Sequence, residues 1–198
     1  MRRSKQVIRR KVWQVLEDKN VADFPRPCFG RIPNFTGSRQ ASERIKEIAE
    51  FQSARCVFCA PDFVLKRIRE IVLEEGKPLA VALPHMKDFV EIGAVDNIAE
   101  ATNIKGFKKC GRPIRTKIDL FVQGSVAVDR SGNRLGKGKG YGDKEWDYLL
   151  KRNLLDPEAK VVTLVHELQI VDDFSRLTER TDKKVDYILT PSEIITVS

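Results

Sequence analysis

Histidine is nearly absent from this chain: His85 and His166 are the only two in 198 residues, and they are isolated from each other. A zinc site built on the pair Cys56-x-x-Cys59 would need a second pair of ligands at suitable spacing, which the two isolated histidines do not supply. Val57 and Phe58, between the paired cysteines, are apolar and β-prone, so the two thiols read as small buried hydrophobes in or beside a strand. No apolar run approaches the roughly 18 residues of a membrane-spanning helix. The opening MRRSKQVIRR is basic, but no uninterrupted apolar stretch or small-residue cleavage site follows it. A signal peptide is therefore not expected, and a cytoplasmic location is. Internal repeats and low-complexity tracts are also missing.

What is present has ordinary globular proportions, with 41% hydrophobic and 32% charged residues. A length of 198 residues fits a single domain over residues 1–198, large enough to bury its core without disulfides or metal, and a monomer is expected. The formal charge of +8 favours an anionic partner. Charge alone does not choose between RNA and ATP, and the cations are spread along the chain as they would be on a solvated basic surface.

Periodicity orders the rest. Ser4 is a candidate N-cap, and Val7, Ile8, Val12 and Leu16 recur at helical spacing through Asn20, with Lys5 and Arg9 on the basic face. Residues 23–37, rich in Pro, Phe and Gly, predict an ordered irregular segment, and a helix follows from Ser38 to about Phe51. Arg55–Cys59, a helix from Asp62 to Glu75 and Leu79–Leu83 predict a βαβ unit. Residues 85–117 give only a weak helix near Val95–Ala101. Strands are expected at Ile118–Val122, Ser125–Val128, Lys160–Val165, Val185–Leu189 and Ile194–Val197, and a helix at Asp143–Leu154. This alternation predicts an α/β fold whose mainly parallel sheet is covered on both faces.

One loop carries chemistry. In GNRLGKGKGYGD, residues 132–143, glycines at 136, 138 and 140 remove every second side chain, which lets backbone N–H groups approach a phosphate. Lys137 and Lys139 add positive charge, and a helix N-terminus favours the same anion. Asp143, at the helix start, could cap backbone amides or hold a magnesium ion that bridges phosphates. The spacing is neither a Walker A loop nor the dinucleotide G-x-G-x-x-G. Composition alone leaves a flexible basic hairpin open as well.

The whole string Arg134-Leu-Gly-Lys-Gly-Lys-Gly-Tyr-Gly-Asp143 resembles the Arg-x-Gly-x-Gly-x-Gly-Tyr-Tyr-Asp signature of the 5-formyltetrahydrofolate cyclo-ligase family, the methenyltetrahydrofolate synthetases. Lys5-Gln-Val-Ile-Arg9 resembles that family's Lys-x-x-Leu-Arg, Asp119–Gly132 the segment leading into the loop, and Gln169 with Asp182–Asp186 its closing motif. The resemblance implies a three-layer α/β/α sandwich with a mainly parallel sheet, of the ribose-phosphate isomerase and CoA-transferase type. It further implies ATP contacts from Lys5, Arg9, Arg134, Leu135, Gly136, Lys137, Gly138, Lys139, Gly140, Tyr141 and Gly142, and Mg²⁺ held by Asp143 and Asp182. Lys137 and Tyr141 would also face a reduced folate or related pterin. The implied reaction phosphorylates the formyl oxygen and closes the ring to 5,10-methenyltetrahydrofolate, ADP and phosphate.

Two positions depart from the family pattern. Gly142 stands where the second Tyr is expected, and Pro61–Leu65 lacks the folate-binding glutamate unless Asp62 substitutes for it. These features resemble the divergent methenyltetrahydrofolate synthetase domain-containing branch, whose animal members carry an added RNA-recognition domain. A nucleotide- or RNA-binding protein without cyclo-ligase activity is the alternative reading, and a sugar-phosphate isomerase related by fold alone is a third. His85, after a strand end, is either a substrate contact or a surface loop histidine, whereas His166 in VVTLVHELQIV fits a satisfied core or edge residue. Trp13 and Trp146 need no role beyond packing.

Overall fold

The computed structural model describes residues 2–179 and 182–197. In chain order the helices are α1 (Arg2–Asp18), α2 (Ser38–Glu43), α3 (Ala49–Ser53), α4 (Lys66–Glu74), α5 (Ile98–Ala101), α6 (Ile104–Cys110) and α7 (Tyr141–Lys151). The strands are β1 (Ala22–Asp23), β2 (Asn34–Phe35), β3 (Val57–Cys59), β4 (Leu79–Ala82), β5 (Phe89–Ile92), β6 (Arg112–Pro113), β7 (Ile118–Gly124), β8 (Ala127–Val128), β9 (Arg134–Leu135), β10 (Leu155–Leu164), β11 (Tyr187–Leu189) and β12 (Ile194–Thr196).

Eight of these strands form one sheet in the order β12-β11-β10-β7-β3-β4-β5-β6. The five from β11 to β4 run parallel, and β12, β5 and β6 add antiparallel edges. The chain passes from β3 outward to β4, then returns to the other side of β3 for β7, β10 and β11. The winding therefore reverses between β3 and β7, and a crevice opens beyond the carboxyl ends of those two strands.

Alternation along the strands decides which helix each face receives. Phe58 of β3 is in register with Phe121 of β7 and stacks on it at 4.4 Å between centroids. The edge of Trp146 from α7 then meets Phe121 at 5.3 Å, and Tyr148 of α7 stacks on Phe89 at 4.6 Å. Cys59 faces the other way, its Sγ 3.9 Å from the carbonyl of Leu65 just before α4. Right-handed crossovers require this split, because β3–α4–β4 and β7–α7–β10 advance in opposite directions along the sheet. The result is the expected three-layer α/β/α arrangement. Phe121 is fully buried, so truncation to Ala would cost about 3–5 kcal/mol through lost transfer energy and a residual cavity.

The departures from expectation are local. Helix α1 begins at Arg2, so Ser4 lies in its first turn rather than capping it. Residues 85–117 contain an antiparallel strand, β5, and the short helices α5 and α6, capped by the side chains of Asn97 and Asn103. The strand expected at Ser125–Val128 is present as β8 but does not join the main sheet. It turns away, and β8 pairs with β9 in a ladder of its own. All four cysteines are free thiols, and burial raises Cys56 and Cys59 above the ordinary thiol range, as expected of inert core residues.

Candidate active site

The crevice at the winding reversal is a cleft of about 880 Å³, inside the range of roughly 300–1,000 Å³ typical of small-molecule sites. Residues 60–62 after β3, Ala82–Met86 after β4 and the end of β7 form one side of it. Lys5 and Arg9 of α1, the loop Arg134–Gly142, Asp143 and Asp182 close the other. Every residue singled out as an ATP, metal or substrate contact therefore faces one space, including His85. His85 is exposed and sits with Met86 in left-handed backbone (φ 61° and 53°), a conformation that non-glycine residues rarely adopt.

The glycine loop is folded inward. It starts from β9, whose ladder with β8 is tightened by Asp129, a buried carboxylate accepting from the amides of Ser131, Asn133 and Phe174. Gly138 and Gly140 take φ of +97° and +65°, so the loop turns twice through conformations that side chains disfavour. Gly140 delivers the chain into α7, placing Tyr141 and Asp143 in the first turn, where helix amides and dipole favour an anion. Leu135 belongs to the hydrophobic core, so at that position only backbone is offered to a ligand.

The charged groups hold one another. Arg9 donates from Nε to the Gly136 carbonyl at 2.6 Å, and Lys5 pairs with Asp182 at 2.9 Å. Lys137 pairs with Asp62 at 3.1 Å, while Arg134 reaches the Gly124 carbonyl at 3.2 Å and Asp143 at 3.7 Å. Burial opposes ionisation of Asp182, but the Glu179 amide and Lys5 outweigh it and hold the carboxyl below its ordinary range. Lys139 is exposed and makes no salt bridge or side-chain hydrogen bond among the described residues. Asp143 accepts from the Lys183 amide at 3.4 Å, which brings the segment after Asp182 against the start of α7. Among the described residues no three His, Cys, Asp or Glu side chains converge on one metal-sized point.

Residues 1–191 match the sequence model of the 5-formyltetrahydrofolate cyclo-ligase family. The chain belongs to that family. A human methenyltetrahydrofolate synthase domain-containing protein is 40% identical over 97% of this chain and 53% of its own length, and the bovine one is 39% identical over 98% and 54%. The chain thus spans about half the length of the curated relatives it matches. A mitochondrial 5-formyltetrahydrofolate cyclo-ligase from Arabidopsis thaliana is 34% identical over 41% of this chain. The fold matches the Aquifex aeolicus 5,10-methenyltetrahydrofolate synthetase with a TM-score of 0.60 at 20% identity, covering 98% of this chain and 92% of that one. The Mycoplasma pneumoniae enzyme gives 0.54 at 13%, covering 98% and 99%.

Within this cyclo-ligase-family cleft, three residues escaped the sequence reading. Glu145 of α7 is only 5% exposed, and burial, reinforced by the charge of Asp62, lifts its carboxyl to about 8 against the pull of Arg134 and Lys137. Gln123, at the end of β7, is equally enclosed and its Oε1 meets no donor. Arg69 of α4 is buried beneath the cleft and ties it together by donating to the carbonyls of Ala60 and Asp62. The available signal was a glutamate on the apolar face of α7, beside Trp146. Gln169, by contrast, is structural: its amide donates to Ser125 and Val126 and completes a capping box with His166.

Proposed function

We propose that the cleft binds ATP·Mg and that the protein is an ATP-dependent cyclo-ligase converting 5-formyltetrahydrofolate into 5,10-methenyltetrahydrofolate, ADP and phosphate. One observation carries this reading: Lys5 and Arg9, the glycine loop and Asp182, far apart in sequence, line one cleft at the carboxyl ends of the parallel strands. Family membership supplies the reaction class. Transfer of a phosphoryl group to the formyl oxygen spreads negative charge over the moving phosphate, and fixed cations in a partly dry site stabilise that charge. Arg9, Arg134, Lys137 and Lys139 would hold the phosphates, together with the amides of residues 136–142. N10 then attacks the activated carbon and expels phosphate.

Magnesium fits this arrangement. The ion commonly takes one or two carboxylates and fills its remaining positions with phosphate oxygens and water, so a triad of protein ligands is not required. Asp143 and Asp182 would supply the carboxylates, exchanging Arg134 and Lys5 for the metal. When bound, it neutralises phosphate charge.

The test is direct: the purified protein with ATP, Mg²⁺ and 5-formyltetrahydrofolate should generate the absorbance of the methenyl product. Intact ATP affinity without product would reject the folate and favour a nucleotide-binding relative without turnover. Absence of ATP affinity would reject the whole assignment.

A further inference from the structure

Lys137 and Asp62 meet across the cleft. Asp62 follows β3 on one wall, Lys137 stands in the glycine loop of the other, and their side chains join at 3.1 Å. Among the described residues neither side chain has another hydrogen-bonding or ionic partner. The other two acid–cation pairs of the cleft involve Asp143 and Asp182, which in the reading above receive a metal when Arg134 and Lys5 leave them. Asp62 receives nothing in that exchange. Drawing Lys137 onto a phosphate therefore leaves a partly buried carboxylate without its cation, and ATP binding has to offset that loss.

The two partners differ in freedom. Buried Arg69 donates to the carbonyl of Ala60 at 2.6 Å, to that of Asp62 at 3.1 Å and to that of Thr102 at 3.2 Å, so one guanidinium pins the backbone of the Asp62 wall. Gly124, at the end of β7, leaves room for the carboxylate, because a Cβ there would lie 3.2 Å from Asp62 Oδ2. Lys137, by contrast, lies between Gly136 and Gly138 and carries its charge on a long flexible stem that is 33% exposed. The lysine is the partner that can move.

We infer that Asp62 is a positioning residue for Lys137: it holds the ammonium across the empty cleft, competes with the triphosphate for it, and so makes ATP the first substrate to bind. While the pair is closed it spans the gap between the two walls. ATP takes the ammonium from Asp62 and opens that gap, and the second substrate enters afterwards. The two substrates are thereby coupled, each tightening the other by the same factor. The inference rests on the reading of the cleft as an ATP site.

The experiment measures ATP binding by calorimetry in the presence of Mg²⁺ for wild type, Asp62→Asn, Lys137→Gln and the double variant, each checked by thermal melting. Asp62→Asn keeps the shape of the side chain and the carbonyl that Arg69 holds. It should tighten ATP about three- to fivefold, the size expected of one partly exposed ion pair, and Asp62→Ala should do the same. Lys137→Gln should weaken ATP about tenfold. In that background Asp62→Asn should change ATP affinity by less than about twofold, because the rivalry for the ammonium is gone. 5-Formyltetrahydrofolate, titrated with and without a saturating non-hydrolysable ATP analogue, should bind wild type about three- to fivefold tighter with the analogue, and should bind either single variant within about twofold in the two conditions. Unchanged or weaker ATP binding in Asp62→Asn overturns the inference and leaves the ATP reading standing. Equal tightening in both backgrounds does so too, since it marks Asp62 as a remote negative charge rather than a rival for Lys137. Folate binding that is absent from wild type, or indifferent to the analogue, overturns the order of binding and the inference with it. If ATP does not bind wild type, the ATP reading itself fails and the inference falls with it.

Discussion

Arg9 Nε donates to the carbonyl of Gly136 across 2.6 Å, joining residues 127 positions apart in sequence. The first helix is thereby fastened to the glycine loop on one side of the cleft.

That contact predicts the behaviour of Arg9→Ala. Loss of a charge-assisted hydrogen bond to backbone should destabilise the fold by about 1–2 kcal/mol and weaken ATP at least about tenfold, since Arg9 also lines the cleft proposed to hold the phosphates. Denaturant melts and calorimetry measure the two effects separately. ATP affinity unchanged in a folded variant would remove Arg9 from the site.

Lys139 should separate binding from stability. It is exposed and unpaired among the described residues, so Lys139→Ala should leave the melting midpoint within about 0.5 kcal/mol of wild type. ATP affinity should nevertheless fall steeply, and more so at low salt, where an exposed cation is least screened. Nucleotide affinity equal to wild type would contradict the phosphate assignment of the loop.

Restoring the family tyrosine should be harmful. Gly142→Tyr drives a side chain into Gln123 and Arg134, an overpacking expected to cost about 1–3 kcal/mol. The double variant Gly142→Tyr/Gln123→Ala should recover part of that loss. Additive effects in the double-mutant cycle would show that the two positions do not share the space.

Glu145 gives a pH signature. Its carboxyl titrates near 8 in the folded protein, mainly through burial, against an ordinary value of 4.5. Between these values the folded state holds a proton that the unfolded chain has released, so stability falls as pH rises from about 4.5 and levels off above about 8. Glu145→Gln removes the group, and its stability in metal-free buffer should be flatter across this window. An identical slope in both proteins would mean that other groups dominate.

The elements that were legible in the sequence are those whose signal is local. The periodicity of α1, the apolar runs of β4 and β10, and the glycine-lysine alternation of the loop each reflect one element's own burial or backbone geometry. Residues 85–117 were legible only in the weak helix near Val95–Ala101, which contains α5; β5 is held by pairing with β4 and β6, and α6 is too short for a clear period. The strand expected at Ser125–Val128 is present as β8, but apolar alternation cannot report that it leaves the main sheet for a separate ladder with β9.

The residue types of the glycine loop, with their spacing, were determined by the sequence alone, because such a loop is built from consecutive residues. Which carboxylate remains free was decided only by tertiary structure. Asp62 and Glu145 are equivalent acids on paper, but folding brings Lys137 to the first and encloses the second without a partner. Charge pairing depends on distances across the cleft, and those distances exist only after β3, β7 and α7 have packed together.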